Sequence, residues 1–192
     1  LPGDERYPSL SPDGTRLAFT THPSAADDVE IAVARADGTG AAAIMVNAVF
    51  VSSPAWAPDG RRIAWSRVDR VTTGTGLVVV LYVARLDGTG RRDILRLPWL
   101  GTGAFPRPGR LDWSPDGRRL LFDHDGLNVI NADGTGLRHI ATGPLCDGHA
   151  AWSPDGRRIV FTRFSGTLRP ESRSNEVVTM AADGTDLRVL VH

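Results

Sequence analysis

The chain has 192 residues, and 22 Lys+Arg against 22 Asp+Glu leave no formal net charge. That balance lacks the basic excess needed for nucleic acid or anionic membrane surfaces, and 41% hydrophobic content is too high for a disordered chain. The longest apolar run, Leu77–Val83, is too short to span a bilayer. A single cysteine, Cys146, makes no internal disulfide, so the fold rests on its core. The length suits one domain over residues 1–192. Leu1 in place of Met, with no apolar signal segment after it, leads to the expectation of a processed or excised chain and leaves its compartment open.

Taken in chain order, one pattern occurs four times. Its first half runs Tyr7–Phe19, Ser53–Trp65, Arg110–Phe122 and His149–Phe161, each copy built around Pro-Asp-Gly. Strand A ends with Leu10, Trp56, Trp113 or Trp152. The turn follows at Asp13-Gly14, Asp59-Gly60, Asp116-Gly117 and Asp155-Gly156. There Pro presets φ and Gly takes the left-handed position. Strand B then alternates Leu17/Phe19, Ile63/Trp65, Leu120/Phe122 and Ile159/Phe161, a period of two.

The second half is also a hairpin. Strand C brings Ile31/Val33, Leu81/Val83, Leu127/Val129 and Val177/Thr179. It turns at Asp37-Gly38, Asp87-Gly88, Asp133-Gly134 and Asp183-Gly184, a strong short-hairpin signal. Strand D carries Ile44, Ile94, Ile140 and Leu190. The repeats average about 48 residues, a length suited to propeller blades. Their limits fall near 7–46, 53–97, 110–142 and 149–192. An antiparallel four-stranded unit with two apolar faces cannot bury itself; stacking such units buries both faces and leaves short edges. The expected fold is therefore all-β, a β-propeller of four-stranded antiparallel blades with four blades in this chain. A two-sheet sandwich accounts for sixteen strands but not for the fourfold repeat.

The Ser-Pro-Asp-Gly-Arg-Arg-Ile-Val-Phe and Asp-Gly-Thr elements resemble the TolB-type, WD-repeat-like β-propeller repeat family over nearly the whole chain. The resemblance implies a propeller of typically six blades. Four repeats then make either a four-bladed ring or an arc of a larger one, and the chain starts and stops on repeat boundaries, which favours the arc. Leu1–Arg6 reads as a linker from a preceding strand D, as Gly143–Gly148 does before the fourth repeat. Propellers of this type occur in TolB, in prolyl-oligopeptidase-type and tricorn-like peptidases, and in pectin-fragment lyases, so the fold leaves function open.

The turns on one face nearly repeat, whereas the D–A linkers and B–C loops on the other differ in every blade, and individual function is expected there. The longest linker, Leu97–Gly109, carries Trp99, Phe105 and Arg107 among Pro and Gly. Its aromatics suit either a partner contact or a plug over the blade. At the start of strand A, Arg110 and His149 with Asp112 suggest a polar ligand site. The alternative is an Asp112–Arg110 pair or a solvated rim. Asp123-His-Asp-Gly126 looks superficially like the start of a calcium loop, but strand C resumes at Leu127, so a tight hairpin fits better. The eight turn aspartates read as caps of local backbone N–H groups. Arg16, Arg62, Arg119 and Arg158 read as partners of nearby acids. Cys146 reads as a semi-buried bystander near His149.

No nucleophile elbow, zinc-protease, phosphate-loop or Cys-x-x-Cys motif is present. The family's lyases use a His-rich metal site that this chain does not supply. The chain is expected to be a non-enzymatic binding propeller without cofactor or metal. Its partner is a protein or a glycan. By the resemblance the setting is the cell envelope, periplasmic or secreted, and the partner an envelope lipoprotein or peptide segment. Self-association through exposed end blades is a further expectation. Two alternatives stand beside it: the gating propeller of a larger peptidase or hydrolase, and a polysaccharide-fragment binding or lyase-like propeller.

Overall fold

The computed structural model describes residues 3–23, 29–48, 50–70, 76–99, 110–141, 146–165 and 174–191. They form four antiparallel sheets, and no helix occurs among them. Blade 1 is β1 (Gly3–Leu10), β2 (Arg16–Pro23), β3 (Val29–Arg35) and β4 (Ala42–Ala48), in that order. Blade 2 has a split first strand, β5 (Phe50–Val51) and β6 (Ala55–Trp56), both paired with β7 (Arg62–Arg70). It continues through β8 (Leu77–Arg85) and β9 (Arg92–Pro98). Blade 3 is β10 (Leu111–Trp113), β11 (Arg119–Asp123), β12 (Leu127–Asn131) and β13 (Arg138–Ala141). Blade 4 is β14 (Cys146–Trp152), β15 (Arg158–Ser165), β16 (Ser174–Ala181) and β17 (Arg188–Val191). The chain divides into two compact units, 1–108 and 109–192, of two blades each.

Both hairpin turns follow from their sequence. In the first, the Gly14 N–H donates to Ser11 O at 2.9 Å, and Gly14 sits at φ 71°. The Asp13 carboxylate accepts from Ser11 Oγ at 2.6 Å and from the Thr15 N–H at 3.0 Å. These hydrogen bonds, the Ser11 hydroxyl first, hold the Asp13 pKa down to about 2. The second turn repeats the geometry: the Gly38 N–H donates to Arg35 O, and Asp37 accepts from the Thr39 N–H and hydroxyl. Only Gly38 of that Asp-Gly pair is left-handed, so this is a three-residue turn with a glycine bulge rather than a two-residue type I′ turn. Thr39, gripped by Asp37, holds the longer form.

The first strands reach further back than the sequence suggests. Gly3–Arg6 is not linker but pairs with Thr20–Pro23, and the Thr20 hydroxyl donates to Arg6 O. Cys146–Gly148 likewise pairs with Thr162–Phe164. The strand breaks register at one repeat position in each case. Tyr7 and His149 take φ 54° there, and blade 2 splits into β5 and β6 at the same place. Two residues oppose one at such a bulge, which bends the strand and re-aims its end.

Within each unit a hydrophobic core lies between the two blades. In unit 1, Ala18, Val29 and Ile31 of blade 1 meet Trp56, Ile63, Trp65 and Val80 of blade 2. Trp65 stacks on Tyr82 at 5.5 Å and 14°. The Trp56 indole N–H donates to Ser9 O across the junction at 2.9 Å. In unit 2, Leu121, Leu127 and Val129 of blade 3 meet Trp152, Ile159, Phe161 and Met180 of blade 4. Arg119 lies 4.7 Å over the Trp152 ring, and its charge also helps to lower the Asp116 pKa, after the Ser114 hydroxyl. Arg62 does pair with Asp59, and Arg158 with Asp186. Blade-to-blade contact through arginine takes another form: Arg138 donates to the Asp183 carbonyl at 2.9 Å.

Candidate functional site

In unit 2, β11 and β12 meet at Asp123↔Leu127, so the B–C connection is a tight hairpin. Asp125 and Gly126 are both left-handed, at φ 51° and 101°. A Cβ at Gly126 would run into the carbonyl oxygen of Ala141, so only glycine fits. The Asn128 amide donates to His124 O at 2.8 Å and meets His139 Nδ1 through its oxygen at 3.1 Å. No metal-binding group of His, Cys, Asp or Glu occurs among the described residues.

Asp123 ends β11 beside the start of β14. A Cβ on Gly148 would lie 3.3 Å from Asp123 Oδ2, so the glycine lets the strand pass close to the carboxylate. Asp123 Oδ1 is buried and has no hydrogen-bond partner among the described residues. Burial pushes the Asp123 carboxyl above its ordinary value. Its own backbone N–H, the Arg110 N–H, and the charges of His149 and Arg110 pull the other way. Arg110 and His149 are both exposed. Beside them Asp147 is buried and takes a bidentate pair from Arg163, at 2.8 and 2.9 Å. The arrangement is a half-buried acid with the Arg110 guanidinium and the His149 imidazole near it at the strand ends. It suits recognition of a polar group.

The residues expected from sequence separate. Arg110 and His149 come together, but around Asp123. Asp112 instead crosses to the next blade, accepting from the Trp152 N–H at 2.8 Å, and burial raises its pKa. Trp99 is half-buried just past β9, its backbone N–H donating to Leu77 O at 2.9 Å. Phe105, Arg107 and the Cys146 side chain lie outside the described residues. Asp123, which in sequence reads only as the start of a tight hairpin, is the acid near Arg110 and His149, and the repeat marks it. The equivalent positions are Thr20, Ser66 and Thr162, small hydroxyl residues, and Asp123 alone is acidic.

Four-stranded antiparallel blades, repeated with the same turns and the same inter-blade packing, define a β-propeller protein. Residues 13–167 match the TolB beta propeller domain, and the chain belongs to that family. It is similar to dipeptidyl-peptidase 5 of Porphyromonas endodontalis, 31% identical over 121 residues, which covers 61% of this chain and 16% of that protein. It is also similar to the Tol-Pal system protein TolB of Alcanivorax borkumensis, 30% identical over 110 residues, 56% of this chain and 22% of that one. The crystal structure of TolB from Acinetobacter baumannii superposes with a TM-score of 0.68 at 13% identity, over 98% of this chain and 44% of that one. The chain thus spans about a fifth of the curated relatives it matches and under half of that solved TolB chain. No helix among the described residues is long and apolar enough to cross a membrane.

Proposed function

We propose that this chain is a binding propeller with no chemistry of its own, which presents its D–A and B–C loop face to a protein partner outside the cytoplasm. The observation that carries this reading is the division of labour among the repeats. The turn face is built from the same Asp caps in every blade, whereas the loop face breaks its own pattern at Asp123, with Arg110 and His149 beside it. A half-buried acid beside an arginine and a histidine suits the charges and amides of a peptide segment. By sequence alone, Trp99, Phe105 and Arg107 on the longest linker remain further candidates for partner contact. The similarity to a Tol-Pal system protein supports the envelope setting.

The test is capture by the immobilised chain from an extracytoplasmic extract, compared across variants. Arg110→Glu with His149→Ala should abolish capture, while Arg157→Glu on the turn face should leave it intact. Capture lost only on the turn-face change refutes the reading, and competition by oligosaccharides rather than peptides moves the partner to glycan. The similarity to a dipeptidyl-peptidase favours a second reading, a propeller that gates a hydrolase in the same polypeptide. A parent reading frame encoding an α/β-hydrolase segment decides for that one.

A further inference from the structure

The sequence contains ten Asp-Gly pairs. Asp-Gly is the dipeptide most prone to rearrange through its own side chain, because glycine leaves the peptide nitrogen unhindered and the backbone around it free to turn. Closing a ring from that nitrogen to the aspartate side-chain carbon needs two freedoms. The carboxyl group must be able to leave its partners, and the peptide N–H must be able to leave its own. The structure withholds both at nine of the ten pairs.

Eight pairs stand in the repeated turns. There each glycine N–H donates to the carbonyl three residues back, Gly38 to Arg35 O and Gly184 to Ala181 O among them. Each aspartate carboxylate accepts from the backbone N–H two residues on. A second donor grips it, a Ser or Thr hydroxyl in seven turns and Arg62 at Asp59. These bonds, the hydroxyl first, keep the Asp37 and Asp87 carboxyls below their ordinary value, which leaves less of the neutral acid from which water is lost. The ninth pair is Asp147-Gly148, where Asp147 is buried on Arg163 and Gly148 is paired with Thr162 in the sheet. Asp125-Gly126, between β11 and β12, is built differently. Asp125 is exposed and left-handed at φ 51°. Among the described residues nothing donates to its carboxylate, and the Gly126 N–H donates to nothing. The carbonyl of Gly126, not its N–H, closes the hairpin by accepting from the His124 N–H at 2.9 Å.

We propose that Asp125-Gly126 is a modification site, at which aspartate converts spontaneously to isoaspartate in the folded chain. The Gly126 nitrogen attacks Asp125 Cγ. The N–Cγ bond forms, and the carboxyl hydroxyl leaves with the amide proton as water. Water then adds back to the cyclic imide. Cleavage of the N–Cγ bond restores aspartate. Cleavage of the bond from nitrogen to the Asp125 backbone carbonyl carbon routes the main chain through Cβ and Cγ instead. One water leaves and one returns, so the mass is unchanged and no other reactant is consumed. The product carries an extra backbone carbon two residues from Asp123. Gly126 has no room to absorb it, since even a Cβ there would run into the Ala141 carbonyl oxygen.

The experiment ages the 192-residue chain at neutral pH, well below its melting temperature, and maps isoaspartate in each Asp-Gly peptide. Electron-transfer fragmentation locates the product, and methyl transfer by an isoaspartyl methyltransferase quantifies it. In the folded chain the Asp125 peptide should convert at least about tenfold faster than any turn peptide, since ring closure in a turn must first break the glycine bond and the carboxylate bonds. Ageing in urea should bring all ten pairs to similar rates, because unfolding frees every carboxylate. Asp125→Glu, whose longer side chain closes a ring far more slowly, should remove the product at this position and leave the other peptides unchanged. Equal conversion at Asp125 and in the turns of the folded chain overturns the proposal. So does an Asp125 peptide that converts only in urea. Selectivity that survives unchanged in urea overturns it as well, because neighbours in sequence and not the fold would then set the rate.

Discussion

Gly38, Gly88 and Gly184 occupy one repeat position, and their substitution by alanine separates backbone strain from blade packing. All three are left-handed, at φ 83°, 77° and 92°. Alanine in that region costs about 1–2 kcal/mol wherever it stands. At Gly38 the new methyl meets open space. At Gly88 it would stand 3.1 Å from the Ile44 carbonyl oxygen, and at Gly184 3.0 Å from that of Ile140. Both obstacles are backbone atoms of the preceding blade, which cannot rotate away, so the usual cost of overpacking applies, about 1–3 kcal/mol. Gly88→Ala and Gly184→Ala should therefore destabilise by about 1–2 kcal/mol more than Gly38→Ala. Urea unfolding at constant slope reads the difference directly, and in a melt it amounts to roughly 4–8 °C per kcal/mol for a unit of this size. Equal losses at the three positions would falsify the claim that these turns carry the blade junctions.

The two junction tryptophans should respond differently to phenylalanine. Trp56→Phe removes the bond to Ser9 O, while Trp152→Phe removes a buried indole N–H that has no partner among the described residues, so Trp56→Phe should cost about 1 kcal/mol more by chemical denaturation. Arg163→Ala leaves Asp147 buried and unpaired and should destabilise by about 3–5 kcal/mol; a loss below 1 kcal/mol means that the pair is solvated. Asp123 and Asp112 bind protons more tightly folded than unfolded, so their contribution to stability falls as pH rises from about 4, the unfolded value, through their raised folded pKa. Asp123→Asn should flatten that decline in a pH series of melts, and an unchanged slope counts against the buried carboxylate. Asp13 has the opposite sign: its stabilisation is present above about 4 and is lost as pH falls toward about 2, so Asp13→Asn should remove that part of the acid sensitivity.

Much of the architecture is local, and therefore legible in the residues. The Asp caps, the left-handed glycines and the alternation of strands B and C each depend on a few neighbours along the chain. Strand positions such as Ile31, Leu81 and Leu127 are buried as their period of two requires. The site was legible only in part. Arg110 and His149 stand out at the starts of strand A, but which acid they approach depends on how β14 passes β11 at Gly148. That crossing is a relation between blades, so Asp112 looked like their partner in sequence and is bonded instead to the Trp152 backbone.

The linear repeat determined by itself that this chain is a set of four-stranded blades, because each turn and strand face is specified within a dozen residues. Eleven of the 21 glycines and four of the 13 prolines that mark the composition stand in these repeated turns. Tertiary structure alone decided that Gly3–Arg6 and Cys146–Gly148 join the sheets beyond a bulge, since a bulge depends on the partner strand. It also decided that Arg110 and His149 approach Asp123 while Asp112 bonds to the Trp152 backbone. Which side chains meet at a strand end depends on how one blade passes the next, and the sequence of one repeat carries no record of that.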